Sequence, residues 1–263
     1  MLNDTTRQSI ADKIHSCFKS CEQIGLLTKA YPEMQMEDSY RIQEKVVQKF
    51  VDEGRRIKGY KIGLTSKAMQ EMIGATEPDY SAILDDMFVN EGAALLRDDF
   101  AMPMVEVEIA FVIKKRLQGP YVNAAEVIQA TDFILPSIEV VDFRVAPEPG
   151  INVVDTIADL AAIGKVALGG NPVRLEDIDV RNINAELIIN DEVRESGNSA
   201  AVLGNPVTAV AWLVNKLSEF GVAFEPGDVI FSGSCTRALP VHPGDKVTAR
   251  FDNGLGDVKL SFE

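Results

Sequence analysis

The sequence predicts an α+β protein, because helical patterns dominate its first 55 or so residues and strand patterns dominate the remainder. Of its 263 residues, 46% are hydrophobic, which is enough apolar material for a sizeable core. We therefore expect a helical N-terminal cap at residues 1–55, followed by a strand-rich body at residues 56–263.

The N-terminal part predicts two amphipathic helices. The first follows the capping candidates Asp4, Thr5 and Thr6. The second runs from about Glu37 to Glu53 and ends at Gly54, a residue type that often terminates helices. Together they indicate a small helical cap in front of the body.

The body consists of short apolar runs separated by glycine, proline and aspartate, a pattern typical of β-strands. One strong helix interrupts them, with Asn205 as its N-cap, Pro206 at its first position and Gly221 after its end. The turns "EPGD" and "HPGD" each precede a predicted strand. The clearest strand patterns are "MVEVEIAFVI", "ILPSIEVVDF", "AELIIND", "GDVIFSGS", "DKVTARFD" and "DVKLSFE".

Composition excludes several classes of function. A formal net charge of −14 argues against nucleic acid or an anionic membrane surface as the partner. No stretch approaches the roughly 20 apolar residues of a membrane span, and the polar N-terminus lacks a signal-peptide pattern. The three cysteines include Cys17 and Cys21, which we expect to lie in the core on one face of the first helix. We expect a cytoplasmic protein.

Acidic residues inside apolar strands are the first candidates for a site. In "MVEVEIAFVI", Glu106 and Glu108 leave one face of the strand while the alternating apolar residues leave the other. Glu139 lies in similar company in "PSIEVV". Grouped carboxylates are costly unless a cation meets them, and hard divalent cations prefer oxygen ligands. Spacing alone leaves open the alternative that each glutamate faces solvent on a half-exposed sheet.

Several motifs in the same order resemble one family over nearly the whole chain. They resemble the 2-hydroxypenta-2,4-dienoate hydratase and 4-oxalocrotonate decarboxylase branch of the fumarylacetoacetate hydrolase superfamily, and within it the 2-oxohept-4-ene-1,7-dioate hydratases. The resemblance implies a curled mixed β-sheet body, with Mg²⁺ or Mn²⁺ bound by Glu106, Glu108 and Glu139. The motifs are "KGYKIGLTSKAMQ", "EPDYSAILDDMF", "MVEVEIAFV", "PSIEVVDFR", "AVAWLVNKL" and "PGDVIFSGSCTRALPVHPGD".

The resemblance also implies two catalytic residues. Lys61 matches a lysine of the active site that binds the substrate carboxylate or moves a proton, although lysine is otherwise a surface residue. Asp79 matches a position that orients or deprotonates water, although an aspartate after proline is otherwise typical of a turn. Gly233, Ser234 and Thr236 follow a strand, where small residues can bind an anionic substrate or simply form a turn.

The expected reaction is hydration of a small 2-hydroxydienoate, with decarboxylation of 2-oxohex-3-ene-1,6-dioate second and carbon–carbon hydrolysis third. A non-catalytic partner subunit is the alternative from a different class. By analogy we expect a homo-oligomer, with a complex with another enzyme of the same pathway as a further option.

Two departures from the family pattern affect the expected pocket. Leu160 stands where many members have asparagine, and Asn205 stands where many have histidine.

Overall fold

The computed structural model describes residues 1–263, except the side chain of Ala68, and it has the predicted mixture of helices and strands. The described residues form helices α1 (Asp4–Ser20), α2 (Leu27–Ala30), α3 (Met36–Asp52), α4 (Lys67–Ile73), α5 (Ala124–Ala130), α6 (Val153–Ala158) and α7 (Pro206–Ser218). The strands are β1 (Ile57–Gly63), β2 (Asp79–Leu84), β3 (Phe88–Val89), β4 (Ala94–Leu95), β5 (Pro103–Ile113), β6 (Thr131–Asp142), β7 (Ile163–Leu168), β8 (Asn184–Ile189), β9 (Glu192–Asn198), β10 (Val229–Ser234), β11 (Leu239–Pro240), β12 (Lys246–Phe251) and β13 (Gly256–Phe262).

The larger sheet is mixed and curls upon itself. Its strand order is β2-β1-β10-β5-β6-β7-β3, with β11 paired to β5. Strand β1 is parallel to β10, whereas β10, β5 and β6 are antiparallel neighbours. Strands β2 and β3 lie at opposite ends of this order, yet only the short 3-10 turn Asp85–Met87 separates them in the chain. The sheet must therefore bend round, as the predicted curled body requires.

The second sheet packs against the apolar face of β5. Its order is β4-β13-β12-β8-β9. Val105, Val107 and Ile109 of β5 are fully buried and share one core cluster with Leu187 of β8 and Leu260 of β13. The predicted alternation of β5 is thereby confirmed, because Val105, Val107 and Ile109 leave the face opposite to Glu106 and Glu108.

The N-terminal helices cover the other side of the sheet. Ile14 of α1 and Phe50 of α3 are fully buried in a second cluster that also contains Ile83 of β2. The two predicted helices are confirmed, but the predicted caps of α1 are wrong. Asn3 precedes the helix with an extended backbone, and its side chain accepts a hydrogen bond from the Thr6 amide. The division of the chain at residue 55 stays a prediction.

The predicted start of the later helix is confirmed, whereas the predicted positions of the two cysteines are wrong in part. Asn205 caps α7 by accepting a hydrogen bond from the Val207 amide at 3.0 Å, and Pro206 is its first residue, as predicted. Cys17 is buried, but Cys21 ends α1 in a left-handed conformation and is partly exposed, so the prediction of two core cysteines on one helical face is wrong.

No helix among the described residues is long and apolar enough to cross a membrane.

A fully buried arginine joins α1, β6 and the turn after α6. The Arg144 Nε donates to Asp159 Oδ1 at 2.6 Å, and its Nη1 donates to the Ile163 carbonyl at 2.8 Å. Its guanidinium also lies 3.8 Å from the centre of the Phe18 ring. Because Asp142 and Asp159 both lie beside it, Arg144 is the cation that compensates two buried carboxylates.

Removing this cation should strongly destabilise the protein. We expect Arg144→Met to lower the free energy of unfolding by about 3–5 kcal/mol, since it leaves buried negative charge uncompensated. Urea unfolding monitored by circular dichroism measures the change. The matched control is Arg250→Met, which removes a half-exposed arginine that pairs with Glu186 and should cost less than about 1 kcal/mol. Equal effects of the two substitutions would contradict this interpretation.

Candidate metal and substrate site

Three glutamates converge on one face of the larger sheet. Strands β5 and β6 pair antiparallel so that Glu106 lies directly opposite Glu139, while Glu108 is two residues along on the same face. One carboxylate oxygen from each residue lies within 4.8 Å of the other two. Glu108 and Glu139 are buried, and Glu106 is partly open to solvent. Among the described residues, this is the only group of three or more acidic, histidine or cysteine side chains with ligand spacing.

Lys61 reaches this group from β1. Its Nζ lies 3.2 Å from Glu139 Oε1, and its side chain is only 6% exposed. The position depends on long-range pairing, because β1 contacts β10, which in turn pairs with β5. Lys61 is therefore a buried partner of a carboxylate and not a surface lysine.

Asp79 begins β2 directly opposite Gly63 of β1. The absence of a side chain at Gly63 makes room for the carboxyl, because a Cβ there would clash with Asp79 Oδ1. Asp79 is buried, so it is not the exposed turn residue that the alternative reading of "EPDY" would give.

The segment after β10 closes the site beside Glu108. The Gly233 amide donates to Glu108 Oε2 at 3.0 Å. The Ser234 hydroxyl lies 2.8 Å from the Thr236 carbonyl and accepts from the Thr236 amide, which forms a tight turn. The amide of Gly233 and the hydroxyl of Ser234 thus already have partners within the protein.

The electrostatics of the site combine burial with like charges. Burial raises the pKa of Glu106 to about 8, the charge of Glu139 adds to this rise, and Lys61 opposes it. Burial and the neighbouring glutamates also raise the pKa of Glu108 well above its ordinary value. Burial raises the pKa of Asp79, with Lys61 acting in the opposite direction.

The pKa of Lys61 is raised like those of its acidic neighbours, but for a lysine this rise favours the charged form. Burial alone would lower the pKa of Lys61, but the carboxylates around it outweigh burial and raise that pKa above its ordinary value, Glu139 making the largest contribution. Lys61 is consequently a charged ammonium at neutral pH. One cation then faces four acidic groups, Glu106, Glu108, Glu139 and Asp79.

The polar atoms of the site are incompletely satisfied within the protein. Among the described residues, neither carboxylate oxygen of Glu139 has a hydrogen bond of good geometry, and Asp79 Oδ1 and Thr236 Oγ1 lack partners as well. Buried polar atoms normally have partners, so these positions call for a ligand. Several carboxylate oxygens in a group suit a hard divalent cation. The residues present therefore fit such a metal.

All eight residues predicted for the site are brought to this region, although their roles stay predictions. The sequence analysis missed three others. Ser137 is fully buried opposite Glu108 and donates to its carbonyl at 2.8 Å. Gly63 makes room for Asp79, and Thr65 packs against Gly233. Ser137 was detectable, because it precedes Glu139 by two residues and therefore shares its face.

The sequence of the chain matches the model of a known protein family. Residues 61–262 match the model described as fumarylacetoacetate (FAA) hydrolase C-terminal. The chain belongs to this family. The match includes every residue of the site and both sheets except the start of β1.

Relatives within the family are similar over their full lengths. The chain is 41% identical to a 2-oxo-hept-4-ene-1,7-dioate hydratase of Escherichia coli, with 100% of both chains covered. It is 35% identical to a 2-keto-4-pentenoate hydratase of Paraburkholderia xenovorans, over 98% of this chain and 95% of that one. A solved structure of 4-oxalocrotonate decarboxylase from Pseudomonas putida G7, complexed with magnesium and adipate, has a TM-score of 0.95 and 34% identity, with 100% and 99% of the chains covered. The predicted family and fold are confirmed.

Proposed function

We propose that this protein is a divalent-metal-dependent hydratase of aromatic catabolism. Its substrate is a 2-hydroxy-2,4-dienoate, and its product is a 4-hydroxy-2-oxo acid. The observation that carries the proposal is the convergence of Glu106, Glu108 and Glu139 around the ammonium of Lys61. The names of the hydratase relatives, which align over nearly their whole lengths, support the same lyase chemistry.

The three glutamates would hold Mg²⁺ or Mn²⁺ with their carboxylate oxygens. Such a cation supplies Lewis-acid stabilisation of the negative charge that develops on the C2 oxygen of the substrate. The magnesium in the solved decarboxylase structure supports this assignment. Glu139 supports it from this chain's own side, because among the described residues its Oε2 has no partner and its Oε1 faces only the ammonium of Lys61.

Lys61 and Asp79 are the proposed catalytic residues. The charged ammonium of Lys61 is suited to bind the substrate carboxylate or to move a proton. Asp79 lies beside it, and its raised pKa makes it a stronger base than an exposed aspartate. It is therefore suited to orient water or accept a proton from it.

The reaction requires two proton movements and one addition. The enol hydroxyl of the substrate loses its proton while C5 gains one, which gives a 2-oxo-3-enoate. Water then adds at C4 and a proton is taken up at C3, so that the net change is the addition of one water molecule. The residues of the site would supply and receive these protons in turn, since Lys61, Asp79, Glu108 and Glu139 are all buried there.

Decarboxylation of 2-oxohex-3-ene-1,6-dioate is the second candidate. It is favoured by the structural similarity to the decarboxylase of Pseudomonas putida G7 and by 35% identity to a Pseudomonas putida enzyme named 4-oxalocrotonate decarboxylase. Hydrolysis ranks third. His15 does pair with Glu53 at 3.1 Å, but its other ionic neighbours are Lys19 and Lys49 and not groups of the site. A non-catalytic subunit would not need the assembled carboxylates and lysine.

The setting of the enzyme forms part of the proposal. We infer a small-molecule enzyme of the cytoplasm that acts as a homo-oligomer, with a complex with another enzyme of the same pathway as a further option. The net charge of −14 supports the absence of nucleic-acid and membrane partners.

The products decide between hydration and decarboxylation. We expect magnesium-loaded protein to add one water molecule to freshly generated 2-hydroxydienoates. We expect that it does not release carbon dioxide from 2-oxohex-3-ene-1,6-dioate. Mass spectrometry of the products after timed incubation distinguishes the two reactions. Release of carbon dioxide without gain of water would establish the second candidate instead.

Metal affinity should depend on the glutamates and on pH. We expect Glu139→Gln to weaken Mg²⁺ or Mn²⁺ binding by at least about 10-fold, since it removes a charged ligand. In the wild type, affinity should rise between pH 6 and pH 8, because the pKa of Glu106 near 8 means that protons must leave before the metal binds. Titration calorimetry measures both effects. Glu186→Gln on β8 is the partly exposed control outside the site, and unchanged affinity in Glu139→Gln would defeat the metal assignment.

Lys61 should affect turnover without affecting metal binding. If it transfers a proton in the slow step, kcat of Lys61→Met should fall by about 10²–10⁴-fold. If it only binds the carboxylate, KM should rise instead, and Lys61→Arg should restore binding better than turnover. Steady-state kinetics at saturating Mg²⁺, with metal content measured in parallel, separates the two roles. Wild-type kcat and KM in both variants would remove Lys61 from the site.

A further inference from the structure

Thr65 is a buried residue with a hydroxyl group, and it lies at the edge of the site, two residues beyond the end of β1. Its side chain packs against Gly233, where an added Cβ would clash with both Thr65 Oγ1 and Thr65 Cγ2. The amide of the same Gly233 donates to Glu108 Oε2. The Thr65 hydroxyl therefore adjoins the residue that holds a proposed metal ligand.

Two glycines make room for polar side chains in this part of the molecule. Gly63 leaves space for the carboxyl of Asp79, and Gly233, with a left-handed φ of +112°, leaves space for Thr65. A side chain at either glycine would push the polar group away. Thr65 is thus brought close to the reacting region in the same way as Asp79.

The backbone around Thr65 contains residues in an unfavourable left-handed conformation, and hydrogen bonds hold it in place. Leu64 and Leu203 both have left-handed φ values, of 55° and 47°, which cost roughly 1–2 kcal/mol per residue for side chains other than glycine. The Leu203 amide donates to the Thr65 carbonyl at 3.2 Å, and the Gln70 side chain donates to the Leu64 carbonyl at 2.7 Å. Strain of this kind persists where surrounding contacts fix it, often at ligand clamps.

The substrate carboxylate needs hydrogen-bond donors, and among the described residues of the neighbouring segment only the Thr236 hydroxyl has no partner within the protein. The Gly233 amide is engaged with Glu108, and the Ser234 hydroxyl is engaged with backbone groups. If Lys61 takes one carboxylate oxygen, a neutral donor beside it strengthens binding of the same anion without adding charge.

We propose that the Thr65 hydroxyl donates a hydrogen bond to the carboxylate of the 2-oxo acid substrate and is a substrate-binding residue of the site. This inference rests on the proposed function, because it needs a 2-oxo acid bound between the glutamates and Lys61. It extends the site to the loop between β1 and α4.

Oxalate tests the inference without turnover, since it presents the two adjacent oxygens of the substrate head. In calorimetry of magnesium-loaded protein, Thr65→Val should weaken oxalate binding by about 10–100-fold, whereas Thr65→Ser, which keeps the hydroxyl, should bind within a few-fold of the wild type. Magnesium affinity and thermal unfolding should be unchanged. In kinetics, KM should rise more than kcat falls. Thr248→Val, a half-buried substitution on β12, is the matched control.

Each result decides the matter. Wild-type oxalate affinity in Thr65→Val would overturn the inference and leave the proposed function intact. Loss of magnesium affinity in Thr65→Val and Thr65→Ser alike would assign Thr65 to the architecture and overturn it too. If the wild type binds no oxalate in the presence of magnesium, the proposed function and this inference both fail. Thr65→Ala replaces Thr65→Val if the valine variant does not fold, with the same expected loss.

Discussion

The contact between Lys61 and Glu139 joins two parts of the chain that lie far apart in sequence, and the site depends on it. One ammonium faces four acidic groups in a buried region, so the protein alone leaves negative charge in excess. Burial makes this excess of negative charge unfavourable. Burial and the neighbouring glutamates therefore raise the pKa values of Glu106 and Glu108. The same excess of acidic groups fits the spacing of the three glutamates, which could hold a metal ion.

The rest of the fold holds these charges in register. Pairing of β5 with β6 sets Glu106 against Glu139, and pairing of β1 with β10 brings Lys61 within reach. The second sheet buries the apolar face of β5, which prevents that strand from slipping by one residue and turning its glutamates to the wrong side. Thus the core beneath β5 and the charges above it are two consequences of one alternating strand.

Much of this arrangement can be predicted from the sequence, but only where the local residue pattern determines the structure. The alternation of β5 and the cap of α7 by Asn205 were predictable because both depend on neighbouring residues. The true cap of α1, Asn3, was one position before the predicted ones, within the usual uncertainty of helix ends. Thr65 was not predictable, because its contact with Gly233 joins segments that only the sheet brings together.

Leu160 shows how a departure from the family pattern is absorbed. With Ala161 and Ala162 it forms three consecutive left-handed residues, a conformation that asparagine tolerates better than leucine. Its side chain is fully buried in the cluster that joins the helices to the sheet, so apolar burial offsets the strain. Asp159, the preceding residue, is fixed by Arg144. Leucine offers no side-chain hydrogen bond at this position, so Leu160 contributes only apolar packing to the cluster.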